Sequence, residues 1–168
     1  VHPLRMYGLG RIHTGLVLHY AARRCLTTAE SEACLSAMVP LLEMLDEVTR
    51  REVVAACTRR RYRKGDTIFH AGDPGETLHM IVKGHVAIRV DTPLGDTSTL
   101  AVIGPGSSFG EQVFLADDPH RTASAVALEA VETLALHRND FEALREKSAK
   151  IDRLLVLILA EQVRRLSE

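Results

Sequence analysis

Regularly spaced turn signals divide the middle of this chain into short segments of strand-forming residues. The segments are rich in Val, Ile, Thr and Phe, and they are separated by Gly65, Gly72, Gly84, Gly95, Gly104-Pro105-Gly106 and Pro119. Turn signals spaced about 8–12 residues apart are typical of an all-β sandwich or barrel. We therefore predict about seven or eight short strands, with a hairpin tip at residues 94–96 and the last two strands at residues 122–128 and 131–136. Residues 78–82 alternate imperfectly, which predicts a strand that is covered on both faces.

One stretch in this region combines a flexible backbone with side chains of both charges. Gly110 has no Cβ, so the neighbouring amides can approach a ligand oxygen, and the following residues predict one helical turn with free N–H groups. Arg121 follows a turn at residues 117–119 and offers a planar fork that matches two phosphate oxygens, and Thr122 adds a hydroxyl. Glu111 would repel a phosphate but suits a ribose hydroxyl. The pattern favours an anionic ligand that carries a sugar, although Glu111 and Arg121 could instead pair with each other.

The same stretch resembles a known motif. Phe109-Gly110-Glu111, followed after ten positions by Arg121 and then by Thr122-Ala123, is similar to the phosphate-binding cassette of cyclic-nucleotide-binding domains. A second block, residues 64–88, resembles the first strands and glycine turns of that family. The likeness covers roughly residues 39–168 and is to the sensor domain of bacterial catabolite-activator (cAMP receptor protein and fumarate-nitrate-regulator) transcription regulators. It implies a mainly β fold, a double-stranded β-helix or jelly roll with flanking helices.

The resemblance also implies a ligand and a set of residues that bind it. The implied ligand-binding residues are Phe109, Gly110, Glu111, Gln112, Arg121, Thr122, Ala123 and Arg165. We expect cAMP as the ligand, with cGMP left open because a Thr after the Arg can favour it in this family. Gln112 departs from the aliphatic residue usual after the Glu, and Val113-Phe114 is bulkier than the common pair. We expect no catalytic residue, no metal and no other cofactor.

The last helix is predicted to join two copies of the chain. Residues 154–160 are apolar on every side of a helix, whereas a helix on the surface of a monomer needs only one apolar stripe. The family's answer is the same helix of a second subunit, and the alternative is burial within one domain. The resemblance implies that ligand binding shifts this helix and thereby controls an attached DNA-binding domain. We find no helix-turn-helix segment, so contact with DNA is expected only through a domain absent from this chain.

Three parts are predicted along the chain. Residues 1–37 are expected to be a poorly ordered extension, residues 38–148 the nucleotide-binding barrel with flanking helices, and residues 149–168 the start of the dimerisation helix. Residues 49–52 (Thr-Arg-Arg-Glu) predict a capping box, and Asn139 predicts a second helix start. Leu41, Leu42, Leu45 and Val48 are spaced for the apolar side of an earlier helix. The basic run 59–64 is interpreted as a solvated strand edge, with a nucleic-acid patch as the alternative.

Composition excludes several other classes of protein. The net charge of −1 argues against a generally basic nucleic-acid binder, and the sequence contains neither a long apolar run nor a secretory signal. A cytoplasmic protein without a membrane segment is expected.

Two alternative functions would use other chemistry. A cupin metal enzyme would draw on His79 and His85, which we instead expect at the surface or a pocket rim. A redox or gas sensor would need more clustered thiols than Cys25, Cys34 and Cys57 provide.

Overall fold

The computed structural model describes residues 39–92 and 95–167, and the predicted extension at residues 1–37 lies outside the described residues. Within these residues, two α-helices precede the strands, α1 (Pro40–Glu43) and α2 (Glu47–Ala56), and two follow them, α3 (Arg138–Lys147) and α4 (Asp152–Leu166). The strands are β1 (Thr58–Tyr62), β2 (Thr67–Phe69), β3 (Thr77–Lys83), β4 (Val86–Asp91), β5 (Thr97–Ile103), β6 (Ser108–Phe109), β7 (Ser124–Ala127) and β8 (Val131–His137). Short 3₁₀ helices occupy Glu111–Phe114 and Ala149–Ile151.

The strands form two four-stranded antiparallel sheets. One sheet has the order β1-β8-β3-β6 and the other β2-β7-β4-β5. Apart from β4 and β5, which are consecutive in the chain, neighbouring strands are far apart in sequence. This arrangement, with helices before β1 and after β8, confirms the predicted jelly roll with flanking helices. It also brings β6 and the segment after it beside β3 (His79 pairs with Phe109), although some 30 residues separate them.

Two hydrophobic cores lie on opposite faces of the sheet that contains β3. Leu78, Met80 and Val82 point from β3 toward the helices, whereas Ile81 belongs to the core between the two sheets. Side chains alternate between the two faces of a strand, so a strand that is covered on both faces shows an almost continuous run of apolar residues. Residues 78–82 are all buried, which confirms the prediction from their imperfect alternation.

Two helix starts differ from the predictions. Helix α2 begins after Asp46, whose carboxylate accepts hydrogen bonds from the backbone N–H of Thr49 (3.2 Å) and from its hydroxyl (2.8 Å). Thr49 therefore lies inside the helix, because an acceptor three residues earlier satisfies its amide. Helix α3 follows β8 directly, and the ring of His137 accepts from the amide of Asn139 (3.1 Å). Since no linker separates strand from helix, His137 takes the capping position predicted for Asn139.

The segment predicted as one helix around residues 41–48 is interrupted. Helix α1 ends at Glu43, and the chain turns before α2 begins at Glu47. Leu41, Leu42 and Leu45 are buried as their spacing predicts, but Val48 is 68% exposed. Val48 was assigned to the apolar side because its spacing fits a continuous helix, and the turn after Glu43 rotates it out of that register.

The basic run 59–64 lies at the edge of a sheet. Strand β1 pairs only with β8 among the described strands, and the side chains of Arg59 and Arg61 both reach Glu132 on that strand. The arginines are otherwise exposed to solvent. The structure thus agrees with a solvated strand edge.

The described residues cover helix α4 on one side. Leu154 and Ile158 are fully buried against the helices and β3, whereas Val156 is 63% and Val163 is 64% exposed. Residues 154–160 are apolar on all sides, and the described part of the chain packs against one of these sides. Across residues 39–92 and 95–167, no helix has the length and apolar character needed to cross a membrane.

Candidate functional site

The residues predicted to bind a ligand converge on one cavity. Its volume is about 640 Å³, and it lies between the second sheet, the segment after β6 and helix α4. The predicted residues that line it are Phe109, Gly110, Glu111, Gln112, Arg121, Thr122, Ala123 and Arg165. The structure therefore brings all eight together, and their role in binding stays a prediction.

Gly110 has a backbone conformation that favours glycine. Its φ is +82°, and it precedes the 3₁₀ helix Glu111–Phe114, which is the short helical turn predicted from the sequence. A Cβ at this position would lie 2.5 Å from Nη1 of Arg121 and 3.0 Å from the carbonyl oxygen of Thr77. The absence of a side chain thus serves two purposes: it permits the left-handed conformation, and it leaves space for a guanidinium next to the backbone.

Backbone hydrogen bonds hold Arg121 in place. Its N–H donates to the carbonyl of Asp73 (2.8 Å), and its own carbonyl accepts from the N–H of Gly72 (2.7 Å). Two residues earlier, the carbonyl of Pro119 accepts from Gly75 (2.7 Å). After the turn at residues 117–119, the chain therefore runs beside the loop 72–75. This position lets the Arg121 side chain reach Gly110, which precedes the 3₁₀ helix.

The Arg121 side chain enters the protein and makes polar contacts along its inner edge. Its Nη2 donates to the carbonyl (2.8 Å) and the hydroxyl (3.2 Å) of Thr77, and its Nη1 donates to the carbonyl of Gly110 (3.3 Å). Its Cζ lies 4.0 Å from the centre of the Phe69 ring, a distance typical of a cation–π contact. No ion pair joins Glu111 and Arg121 in the part of the chain that the structure describes.

Arg121 is a buried positive charge, and one of its N–H donors has no hydrogen-bond partner among the described residues. The residue is only 8% exposed, and burial lowers the pKa of its guanidinium, while the carboxylates of Glu111, Asp73 and Glu76 act in the opposite direction. An arginine nevertheless stays protonated near neutral pH. Among the described residues, its Nε has no hydrogen-bond partner, and neither does the buried hydroxyl of Ser108, which also lines the cavity. Buried polar atoms without partners are costly, and a bound anion would supply acceptors for both.

Helix α4 contributes a second arginine to the cavity. Nη2 of Arg165 donates to the carbonyl of Ser108 (3.3 Å), and its Nε lies 3.9 Å from the carboxylate of Glu161. Hydrogen bonding from Arg164 lowers the pKa of that carboxyl, so Glu161 is ionised at neutral pH. Gln162 also lines the cavity. Gln162 is not among the eight predicted residues, and its amide can both donate and accept hydrogen bonds.

Three further residues next to Arg121 were not predicted to belong to the site. They are Phe69, Thr77 and His79, from β2 and β3. His79 was expected at the surface or at a pocket rim, and that expectation was wrong, because the residue is 4% exposed and stacks on Phe109 at 5.1 Å. Side chains alternate between the two faces of β3, so His79 lies on the face of Ile81, inside the barrel, and opposite Leu78 and Met80. A polar residue at an inward position of a buried strand was the available signal.

The side chains that a cupin metal enzyme or a redox sensor would use do not form a cluster among the described residues. His85 is exposed and its Nδ1 lies 2.6 Å from the carboxylate of Glu129, whereas His79 is inside the barrel. No cluster of three His, Cys, Asp or Glu side chains suited to a metal occurs in residues 39–92 and 95–167. Burial raises the pKa of the Cys57 thiol to about 12, and Cys25 and Cys34 lie outside the described residues.

Comparison with known proteins gives a consistent result. The family model described as "Cyclic nucleotide-binding domain" matches residues 59–148. The Cyclic AMP receptor protein of Thermus thermophilus is 41% identical over 106 residues, which cover 63% of this chain and 49% of that protein. A CRP-like cAMP-activated global transcriptional regulator of Mycobacterium tuberculosis is 30% identical over 116 residues, covering 67% of this chain and 51% of the relative.

The solved structures agree with this match. The crystal structure of the Thermus thermophilus Catabolite Activator Protein is similar with a TM-score of 0.66 and 36% identity, over 76% of this chain and 60% of that one. The chain thus spans about half the length of the curated relatives it matches, 49% and 51% of the two above.

Proposed function

The chain belongs to the cyclic nucleotide-binding domain family, and we propose that it is the cAMP-sensing domain of a catabolite-activator-type transcription regulator. The family model covers the barrel from the second residue of β1 onward, and the relatives named above are cAMP receptors or cAMP-activated regulators. We propose no catalytic role for it, and we propose that it acts in the cytoplasm.

The observation that carries the proposal is the state of Arg121. A buried guanidinium, 8% exposed, lines a 640 Å³ cavity and retains an Nε that has no partner among the described residues. Ionised donors bind phosphate oxygens strongly, and the planar fork can bind two of them at once. The start of the 3₁₀ helix after Gly110 adds backbone N–H groups near the same position. Arg165 supplies a second positive charge from α4.

The other lining residues suit the sugar and the base of a nucleotide. The carboxylate of Glu111 would accept hydrogen bonds from the ribose 2′-hydroxyl, and its charge would oppose a second phosphate. This favours a singly charged cyclic phosphodiester over a nucleoside diphosphate or triphosphate. Apolar side chains of β4 and β5, Ile88, Leu100 and Val102, line the wall where a purine would lie. We prefer cAMP because of the named relatives, with cGMP as the second candidate through Thr122.

The packing suggests how binding would reach the last helix. Phe114, at the end of the 3₁₀ helix, stacks on Phe141 of α3 at 4.1 Å, and both belong to the core that includes Leu154 and Ile158 of α4. A ligand that draws the 3₁₀ helix toward the cavity would therefore alter the packing of α3 and α4. The ligand can shift the equilibrium between the two arrangements only by the difference in its affinity for them.

We also propose that α4 pairs with the same helix of a second subunit. Val156 and Val163 are exposed apolar residues seven positions apart, which is the repeat of a coiled-coil seam. In a longer regulator, this pair of helices would pass the change to attached DNA-binding domains.

Titration calorimetry with cAMP and cGMP tests the proposal on the 168-residue chain. We expect Arg121→Ala to weaken cAMP binding by at least about 100-fold, since it removes two charge-assisted hydrogen bonds of about 1.5–3 kcal/mol each. Glu111→Ala should cost about tenfold or less, through the ribose alone. The matched control is Arg63→Ala, which removes an exposed arginine that does not line the cavity.

Circular dichroism and thermal unfolding would show that each variant is folded. The proposal fails if the wild-type chain binds neither nucleotide. It also fails if a folded Arg121→Ala variant binds cAMP as tightly as the Arg63→Ala control does.

A further inference from the structure

His79 is a buried polar residue that lies behind the cavity wall and does not itself line it. Its Nε2 lies 3.0 Å from the hydroxyl of Thr77, and its Nδ1 lies 3.2 Å from the hydroxyl of Thr133 on β8. The ring is only 4% exposed and stacks almost parallel to Phe109, with an interplanar angle of 12°. A histidine in such a core needs both ring nitrogens satisfied, and here each has one hydroxyl partner.

The contacts form one continuous chain of hydrogen bonds that ends at Arg121. A guanidinium has only donors, so the hydroxyl of Thr77 accepts from Nη2 of Arg121 at 3.2 Å. That hydroxyl has a single proton, and the acceptor within reach of it is Nε2 of His79. The ring proton then lies on Nδ1 and is donated to the hydroxyl of Thr133.

We propose that His79, in its neutral Nδ1–H tautomer, is a positioning residue that fixes the Arg121 guanidinium for the ligand's phosphate. By accepting from Thr77, the imidazole orients that hydroxyl so that its lone pairs face Nη2. The inner edge of the guanidinium is thereby held by two oxygens of one residue, the Thr77 carbonyl (2.8 Å) and hydroxyl (3.2 Å). The side chain that lines the cavity thereby keeps its orientation, with a buried Nε that has no partner among the described residues. This inference rests on the proposed function, because the ligand it serves is the cyclic phosphodiester.

The charge state of the ring is consistent with that role. Burial, together with the positive charges of Arg121 and Arg60, lowers the pKa of His79 to about 3. The ring is therefore neutral at physiological pH. A protonated ring would have no lone pair on Nε2 and would leave the Thr77 hydroxyl without its acceptor.

Substitutions along this chain of hydrogen bonds test the inference through cAMP affinity. We expect His79→Phe and Thr77→Val each to weaken binding by about tenfold, because each leaves Arg121 without its oriented acceptor. The double variant should be no weaker than the weaker single variant, since both changes break the same path. Thr77→Ser retains the hydroxyl and should restore binding to within about twofold.

Thr133→Val is the matched control for loss of stability. It removes a hydroxyl from the same core, on the side of the ring away from Arg121. If His79 has only a structural role, Thr133→Val and His79→Phe should lower affinity in proportion to their loss of stability. Positioning instead predicts that Thr133→Val lowers the melting temperature while changing the dissociation constant less than about twofold.

Nitrogen-15 NMR of the unliganded chain gives a readout that does not need binding. We expect His79 to carry its proton on Nδ1, and we expect the Arg121 Nη signals to change in Thr77→Val and to be retained in Thr77→Ser. An Nε2–H tautomer would overturn the inference. So would wild-type affinity in both His79→Phe and Thr77→Val, and the proposed function would then still stand. If the wild-type chain binds no cyclic nucleotide, the proposed function falls, and with it the ligand role of His79.

Discussion

The burial of His79 predicts a specific pH dependence of folding stability. We compare the wild-type chain with His79→Phe, a variant that keeps a ring stacked against Phe109 and cannot titrate at this position. The free energy of unfolding of the wild type should fall relative to that of the variant as the pH is lowered from 7 to 5. The overall stability of the variant, which loses two hydrogen bonds, does not matter for the test, because the difference in slope is the measured quantity.

The magnitude follows from the two pKa values of the imidazole. The folded-state pKa is lowered from the ordinary 6.5 to about 3, so the unfolded chain binds the extra proton first as the pH falls. Stability is therefore unaffected above about pH 6.5 and is lost progressively between about pH 6.5 and pH 3. At pH 5, which is about 1.5 units below the unfolded-state value, the loss is about 2 kcal/mol at about 1.4 kcal/mol per unit.

Urea unfolding of both proteins at several pH values between 5 and 7.5 measures this difference. The control is His70→Asn, which replaces an exposed histidine and should keep the wild-type slope. Parallel curves for the wild type and His79→Phe would refute the reasoning, because they would mean that the ring is protonated in the folded protein at pH 5 or is accessible to water there.

Two further predictions concern the backbone of the site and the helix surface. Gly110→Ala should lower the free energy of unfolding by at least about 1–2 kcal/mol and weaken cAMP binding, because the residue has φ +82° and its Cβ would lie 2.5 Å from Nη1 of Arg121; wild-type stability measured by urea unfolding would contradict this. Val156→Glu combined with Val163→Glu should convert a dimer to a monomer in analytical ultracentrifugation, because the change places like charges on both helices of the pair. The control is Ala143→Glu on the exposed side of α3, and a dimer that survives both substitutions on α4 would contradict pairing through this face.

The sequence determined the fold class and the composition of the site because those signals are local. The glycine turns and the segments between them predicted the strands, and the order of Gly110, Glu111, Arg121 and Thr122 within 13 residues predicted the cavity lining. Chain proximity limits where such residues can lie. Gly110 and Arg121 are separated by a single turn, so they lie close together in almost any packing of this barrel.

Tertiary structure alone decided what surrounds Arg121. Thr77 and His79 lie more than 40 residues before it. Nothing in their local sequence indicates that β3 comes to lie against the 3₁₀ helix, or that the loop 72–75 lies against residues 119–121. The same limit explains the misplaced helix starts, since Asp46 and His137 satisfy amides in positions set by the turn after α1 and by the direct passage from β8 into α3. Residue type and spacing state which groups are present, but burial and the distance between remote segments arise only when the chain packs, and these decide the charge state and orientation of each group.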